Sequence, residues 1–259
     1  METIRTADAM DPARAAALAA TLGIDWRPGD PLPPFFHQVY FWQALPESAL
    51  GRDGHPRLGA GLIPDLGLPR RMWAGGRLHF HGPLHAGRAA ERVSVLEDVA
   101  RKEGRSGPLA FVTLRHDIVQ DGATRVTEWQ DLVYREDPTP GTPQPAPPKA
   151  PEAAEEVRAL RASSTLLFRY SALTFNGHRI HYDLDYCRDV EGYPGLIVHG
   201  PLLAQFLMLM APAPLAQFRF RATAPLYHTE TARLCRRGHS LWVEGPDGRL
   251  CMQATAGSD

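Results

Sequence analysis

Seven prolines fall between Asp137 and Glu152 (DPTPGTPQPAPPKAPE). Proline lacks a backbone donor and fixes φ, so the stretch reads as an extended, solvated linker. It divides 259 residues into two parts of ordinary domain size. The two parts echo each other. Leu78-His79-Phe80-His81-Gly82-Pro83-Leu84 is matched by Phe218-Arg219-Phe220-Arg221-Ala222-Thr223-Ala224-Pro225-Leu226. In each, an alternating strand reaches a Pro-Leu corner and a hairpin run follows, the mark of a degenerate duplication. The expected organisation is a first domain over 1–136, a linker over 137–152 and a second domain over 153–259. Each half is the right size for one strongly curved sheet wrapped on one helix. Pairing the two sheets edge to edge would cover strands that otherwise template aggregation.

Along the first half, 11–22 (DPARAAALAATL) predicts a short helix capped by Asp11 and closed by Gly23. Phe35–Trp42 is aromatic and β-branched and predicts a strand, and 45–76 reads as loop. Strands are expected at Arg77–His81, Ala89–Lys102, Leu109–Gln120 and Thr124–Tyr134. After the linker, Glu152–Ala162 predicts a helix and Leu166–Ala172 a strand. Four further strands cover Gln217–Ala224, Thr229–Arg237, His239–Gly245 and Leu250–Thr255.

Chemistry concentrates between Tyr170 and Met210. Asn176, Gly177 and His181 stand at close spacing, an acidic turn-rich insert follows, and Ile197-Val198-His199-Gly200 opens into the most apolar helix of the chain. Leu203, Phe206, Leu207 and Met210 recur at helical spacing and the opposite face is nearly as apolar, so this helix is expected to be buried all round. Polar groups held outside a buried helix N-terminus suit a polarised carbonyl. The first half has no equivalent helix and no matching Asn…His pair.

A formal net charge of −1 argues against a nucleic-acid binder relying on a strong overall field. Three cysteines without CxxC spacing suit a reduced cytoplasm rather than a disulfide scaffold. No signal peptide or membrane-spanning run is apparent, and the expected location is cytoplasmic. His79, His81 and His85 lack a carboxylate or thiolate to complete a ligand set, so no metal is expected.

The Phe175–Asp183 run (FNGHRIHYD) and the Ile197–Gly200 run together resemble the hydratase motif of the MaoC-like, R-specific enoyl-thioester hydratases and dehydratases. The Met72–Gly76 (MWAGG) and Lys102–Leu109 (KEGRSGPL) runs are similar to one subfamily. That group contains hydroxyacyl-thioester dehydratase type 2 and the mesaconyl-C4-CoA and itaconyl-CoA hydratases. The resemblance spans residues ~10–255. One departure is plain: the common motif has Asp where this chain has Asn176.

The resemblance implies an α+β tandem (double) hot-dog fold, with the central helix complete only in the C-terminal half. It implies a cofactor-independent hydro-lyase that adds water to a short enoyl-CoA, with a C5 dicarboxylyl group as the best match. A homodimer or higher homo-oligomer is expected, with no nucleic-acid or membrane partner. His181 matches the motif histidine and is expected to carry the proton. Asn176, which cannot titrate near neutrality, would hold the water, and the Gly200 N–H would stabilise the enolate oxygen. Asp183 reads as the cap of the turn that follows. Candidates for substrate contact are His178, Arg179 and His199, together with Arg70 and Arg71. Two other readings stay open: a 3-hydroxyacyl-ACP dehydratase, and an inactive acyl-thioester-binding protein.

Overall fold

The computed structural model of the chain describes residues 2–59, 61–104, 107–137 and 146–257. Among them ten strands form one sheet. They are β1 Thr3–Asp8, β2 Arg70–Phe80, β3 Ala90–Gly104, β4 Gly107–Gln120, β5 Ala123–Arg135, β6 Glu156–Arg161, β7 Gln217–Ala222, β8 Thr231–Arg237, β9 Ser240–Glu244 and β10 Leu250–Gly257. Their order is β1-β3-β4-β5-β2-β7-β10-β9-β8-β6, antiparallel throughout. Substituting each of β6–β10 by the strand five places earlier makes the second half of that order the reverse of the first. The duplication is therefore visible in the connectivity. Its two matched sequences are the strands that join the halves: β2 and β7 pair with Leu78 opposite Phe218 and Arg77 opposite Arg219. Gly75 lies at this junction because a Cβ there would stand 2.6 Å from the Phe220 carbonyl oxygen.

Three helices accompany the sheet: α1 Pro12–Leu22, α2 Ser164–Thr174 and α3 Gly200–Met208. The α1 caps are those expected, with the Ala13 N–H donating to Asp11 and Gly23 at φ 68°. Helix α1 follows β1 as α2 follows β6, and the two pack together. Helix α3 is buried on nearly every face and lies across β2, β7, β9 and β10. It has no counterpart in the first half. Among the described residues there, only short 3-10 turns at Phe36–Val39 and Glu47–Ala49 separate α1 from β2.

The structure corrects four sequence expectations. Phe35–Trp42 is not a strand: Phe35 and Phe41 take left-handed φ values of 71° and 60°, and the aromatic rings fill the core around a 3-10 turn. Glu152–Ala162 is not a helix but contains strand β6, since pairing with β8 outweighs the helix preference of its Glu and Ala residues. Leu166–Ala172 is helical instead, within α2, whose first turn is capped by Ser163 Oγ accepting from the Leu166 N–H. Arg70–Gly76 is the start of β2, not loop.

Residues 138–145 of the linker, and Arg105 and Ser106 of the Lys102–Leu109 run, lie outside the described residues. The end of the linker rests on the turn between β9 and β10. The Leu250 N–H donates to Pro148 O at 2.8 Å and the Ala150 N–H to Gly248 O at 3.0 Å.

Candidate active site

Helix α2 stops because Phe175 turns to φ 52°, and Asn176 follows. The Phe175 ring stacks on Trp42, centroids 5.2 Å apart, while the Trp42 indole N–H donates to the Leu173 carbonyl at 3.1 Å. A side chain from the first half thus satisfies one orphan carbonyl of the helix that presents Asn176. The Asn176 N–H bonds Ser171 O, and Asn176 Oδ1 accepts the His178 N–H at 3.0 Å. One lone pair of the amide oxygen is therefore spent on shaping the loop. The amide NH2 and the second lone pair are what it can offer a ligand.

A single 3-10 turn, Arg179–His181, then sets the histidine. His181 Nδ1 lies 2.9 Å from Ile197 O, and the Ile197 N–H donates to Ile180 O at 2.9 Å, so the two parts of the motif hold each other. A carbonyl can only accept. Nδ1 therefore carries the proton, and Nε2 keeps its lone pair. His181 stacks on His199, centroids 3.6 Å apart and planes 22° apart. His199 is fully buried, meets Ser171 Oγ through Nε2 at 2.8 Å and precedes α3. Gly200 is the first helical residue, where the N–H lacks an intrahelical partner.

Burial pushes His181 down to about 3 and holds His178 and His199 well below the usual histidine range, and the neighbouring imidazoles add to the last two. These three rings are neutral at neutral pH. Cys187 is moved the other way, its thiol raised by burial to about 11, so it is no ready nucleophile. Asp183 caps the following turn as expected, accepting from the Tyr186 N–H at 2.9 Å.

The first half supplies a strap across this loop. Asp53 O accepts the Arg179 N–H at 2.9 Å. Gly54, at φ 86°, lies so close to Gly177 that a Cβ on it would stand 2.0 Å from the Gly177 carbonyl oxygen. His55 Nδ1 lies 3.1 Å from Asp53 Oδ2, and the His55 ring lies 4.4 Å from that of His178. Burial works to raise the Asp53 carboxyl, but its bonds from His55 and the Arg71 charge hold it below its ordinary value. Ligand atoms of Asp53, His55 and His178 lie within 4.8 Å of one another, a constellation that could hold a metal ion. Sequence spacing did not point to it, since the strap and the loop are far apart in the chain.

Two cavities meet here. An outer cleft of about 560 Å³ is lined by Asn176, Gly177, Tyr182, Pro201 and Trp73. An inner chamber of about 520 Å³ runs under the 51–69 loop over the concave face of β3–β5, where Ser94, Leu114, His116 and Tyr134 line it. His55, Arg71 and Arg92 line both. The chamber occupies the side of the molecule that lacks a central helix.

The expected substrate residues separate sharply. Arg71 lines both cavities. Arg70 points elsewhere: it is buried against Glu191, within reach of the Tyr193 hydroxyl. Arg179 is taken by Asp183 at 2.8 Å and by the Arg52 carbonyl, and it stacks over Tyr186. His178, a candidate for substrate contact, is buried between His55 and His181. His178, His181, His199 and Gly200 all lie behind the lining of the two cavities, whose cleft is bordered by Asn176, Gly177 and Pro201, and His199 stacks on His181.

Residues 35–228 match the family described as hydroxyacyl-thioester dehydratase type 2. The mesaconyl-C(4)-CoA hydratase of Chloroflexus aurantiacus is 47% identical over 236 residues, which cover 87% of this chain and 83% of that protein. Among solved structures, HtdX of Mycobacterium tuberculosis superposes with a TM-score of 0.70 at 18% identity, covering 100% of both chains. A second protein of that organism, described as having a double hotdog fold, gives 0.59 at 14% identity over 98% of this chain and 94% of its own. The double hot-dog fold is common to all three chains.

Proposed function

Because this chain belongs to the hydroxyacyl-thioester dehydratase type 2 family, we propose that it is a hydro-lyase adding water reversibly across the double bond of a short enoyl-CoA, a C5 dicarboxylyl-CoA such as mesaconyl-C4-CoA or itaconyl-CoA. The family and the near relative support hydration of a CoA thioester. The observation that carries the acyl choice is a charged and hydroxyl-bearing pair inside the inner chamber. Arg71 and Tyr134 stand there among apolar walls that include Leu58, Leu62, Ile63, Leu68 and Leu114, and a half-buried guanidinium calls for an anionic partner.

In this reading the thioester oxygen accepts the Gly200 N–H at the start of α3, which stabilises the charge of the developing enolate. Asn176 holds the attacking water. His181 Nε2 takes the water's proton as oxygen bonds to Cβ, then delivers a proton to Cα. Its partner at Nδ1, a carbonyl without formal charge, fixes the ring without making it a strong base. The low proton affinity set by burial favours prompt transfer to carbon over a lasting imidazolium. The chemistry calls on the second half alone, while the first half supplies the strap and the chamber. No cofactor is required by these steps.

The test is a panel of enoyl-CoAs followed by loss of enoyl-thioester absorbance. Mesaconyl-C4-CoA or itaconyl-CoA is expected to be hydrated much faster than crotonyl-CoA. Equal rates would remove the dicarboxylate and point to a fatty-acyl dehydratase. No turnover of any enoyl-thioester would leave a binding protein.

A further inference from the structure

Among the polar groups of the inner chamber, Arg71 and the Tyr134 hydroxyl have no hydrogen-bond partner among the described residues, and they are cross-strand neighbours. Arg71 on β2 pairs in register with Tyr134 on β5. Facing residues on adjacent antiparallel strands carry their side chains to the same side, and both line the chamber. Tyr134 is 2% exposed, and its hydroxyl has no hydrogen-bond partner among the described residues. A buried hydroxyl without a partner is costly and asks for one. Most surrounding cations are engaged. Arg70 is on Glu191, Arg52 on Asp137, Arg57 on the Leu50 carbonyl and Arg179 on Asp183, while Arg92 bonds the Phe41 carbonyl and leaves its Nε without a partner among the described residues. Arg71 has no such bond among the described residues, although its charge acts on Asp53, His55, His178 and Tyr134 around it.

We infer that Arg71 and the Tyr134 hydroxyl form the seat of the acyl carboxylate, so that this pair selects a dicarboxylyl over a monocarboxylic acyl group. The inference rests on the hydratase reading above and deepens it. A guanidinium offers a carboxylate two parallel donors, and a phenol adds a third from the adjacent strand. The position suits the task. Arg71 is on the seam between the chamber and the cleft that holds Asn176, so the seat opens toward both. The one carboxylate beside it, Asp53, has both oxygens bonded to His55, through its N–H and its ring. Ser94 and His116 bond each other at 2.7 Å deeper in the chamber and are already satisfied.

The experiment compares kcat/KM for mesaconyl-C4-CoA and crotonyl-CoA in the wild type, Arg71→Gln and Tyr134→Phe. Removing the guanidinium is expected to lower the ratio of the two roughly 30-fold or more, and removing the hydroxyl roughly tenfold or more, as for hydrogen bonds to a charged group. The phenylalanine variant keeps the ring and reads the seat even if Arg71→Gln folds poorly. A wild type that prefers the dicarboxylyl substrate, with both variants keeping that preference within twofold, overturns the seat and leaves the hydratase reading standing. A wild type with no preference overturns the dicarboxylate reading and the seat together.

Discussion

His181 and His199 lie face to face, ring centroids 3.6 Å apart, between the Ile197 carbonyl on one ring and the Ser171 hydroxyl on the other. Two imidazoles at that separation disfavour a second proton on either ring, since both as cations would repel. The stack fixes the plane of the His181 ring beside the start of α3, and burial keeps it neutral.

Replacing His181 by Ala is expected to lower turnover by at least ~10²-fold, the usual scale of a general acid–base group, with far-UV circular dichroism unchanged. Turnover within a few-fold of wild type would take His181 out of the mechanism.

Asn176 has two roles that substitution separates. Asn176→Ala loses both the Oδ1 bond to the His178 N–H and the amide donors, so kcat should fall while KM changes little. Asn176→Asp keeps an oxygen for the His178 N–H, and its melting temperature should match wild type. A raised KM at normal kcat in the alanine variant would place Asn176 on the substrate instead of the water.

The buried histidines make stability pH-dependent with a definite sign. His55, His116, His178, His181 and His199 all bind protons less tightly in the fold than in the unfolded chain, because burial penalises their charged forms. Their contribution is complete above the ordinary value of ~6.5. As the pH falls below that value, the unfolded chain takes up protons that the fold refuses, and stability drops through the window toward about 4 for His116 and about 3 for His181. Denaturant midpoints should therefore be level from pH 7 to 8 and fall steadily toward pH 5. Over the range where the enzyme stays folded, kcat/KM should have no acidic limb near 6.5. Such a limb would mean that His181 is solvated.

Gly54→Ala tests the strap. A methyl group there meets the Gly177 carbonyl and also forces an alanine to φ 86°, so one backbone must move. The expected cost is about 2 kcal/mol or more, with loss of turnover exceeding the loss of folded protein at 25 °C. Wild-type activity in this variant would show that the contact does not position Asn176.

Much of this was legible in the chain. The echo between Leu78–Leu84 and Phe218–Leu226 located the strands that join the halves, and the Phe175–Asp183 and Ile197–Gly200 runs located the candidate loop and the helix beside it. Local patterns carry that kind of information. What they missed depended on distant partners. Glu156–Arg161 is a strand because β8 lies beside it, and Phe35–Trp42 is not one because no strand does. Arg70 and Arg71 are adjacent in sequence, yet strand alternation sends one to Glu191 and the other to the chamber, a choice fixed by the register with β5. Asp53-Gly54-His55 looked like loop because nothing in its own composition says that it lies on Gly177.

The junction of β2 with β7 makes this chain a dimer that cannot come apart. In an assembly of two identical subunits, every change is made twice. A substitution that hollowed out one copy to admit a bulkier or charged acyl group would also dismantle the helix on which the other copy's reaction depends. Covalent fusion breaks that symmetry. One copy could surrender its helix and its reactive loop and become the container, while its twin stayed under selection for chemistry.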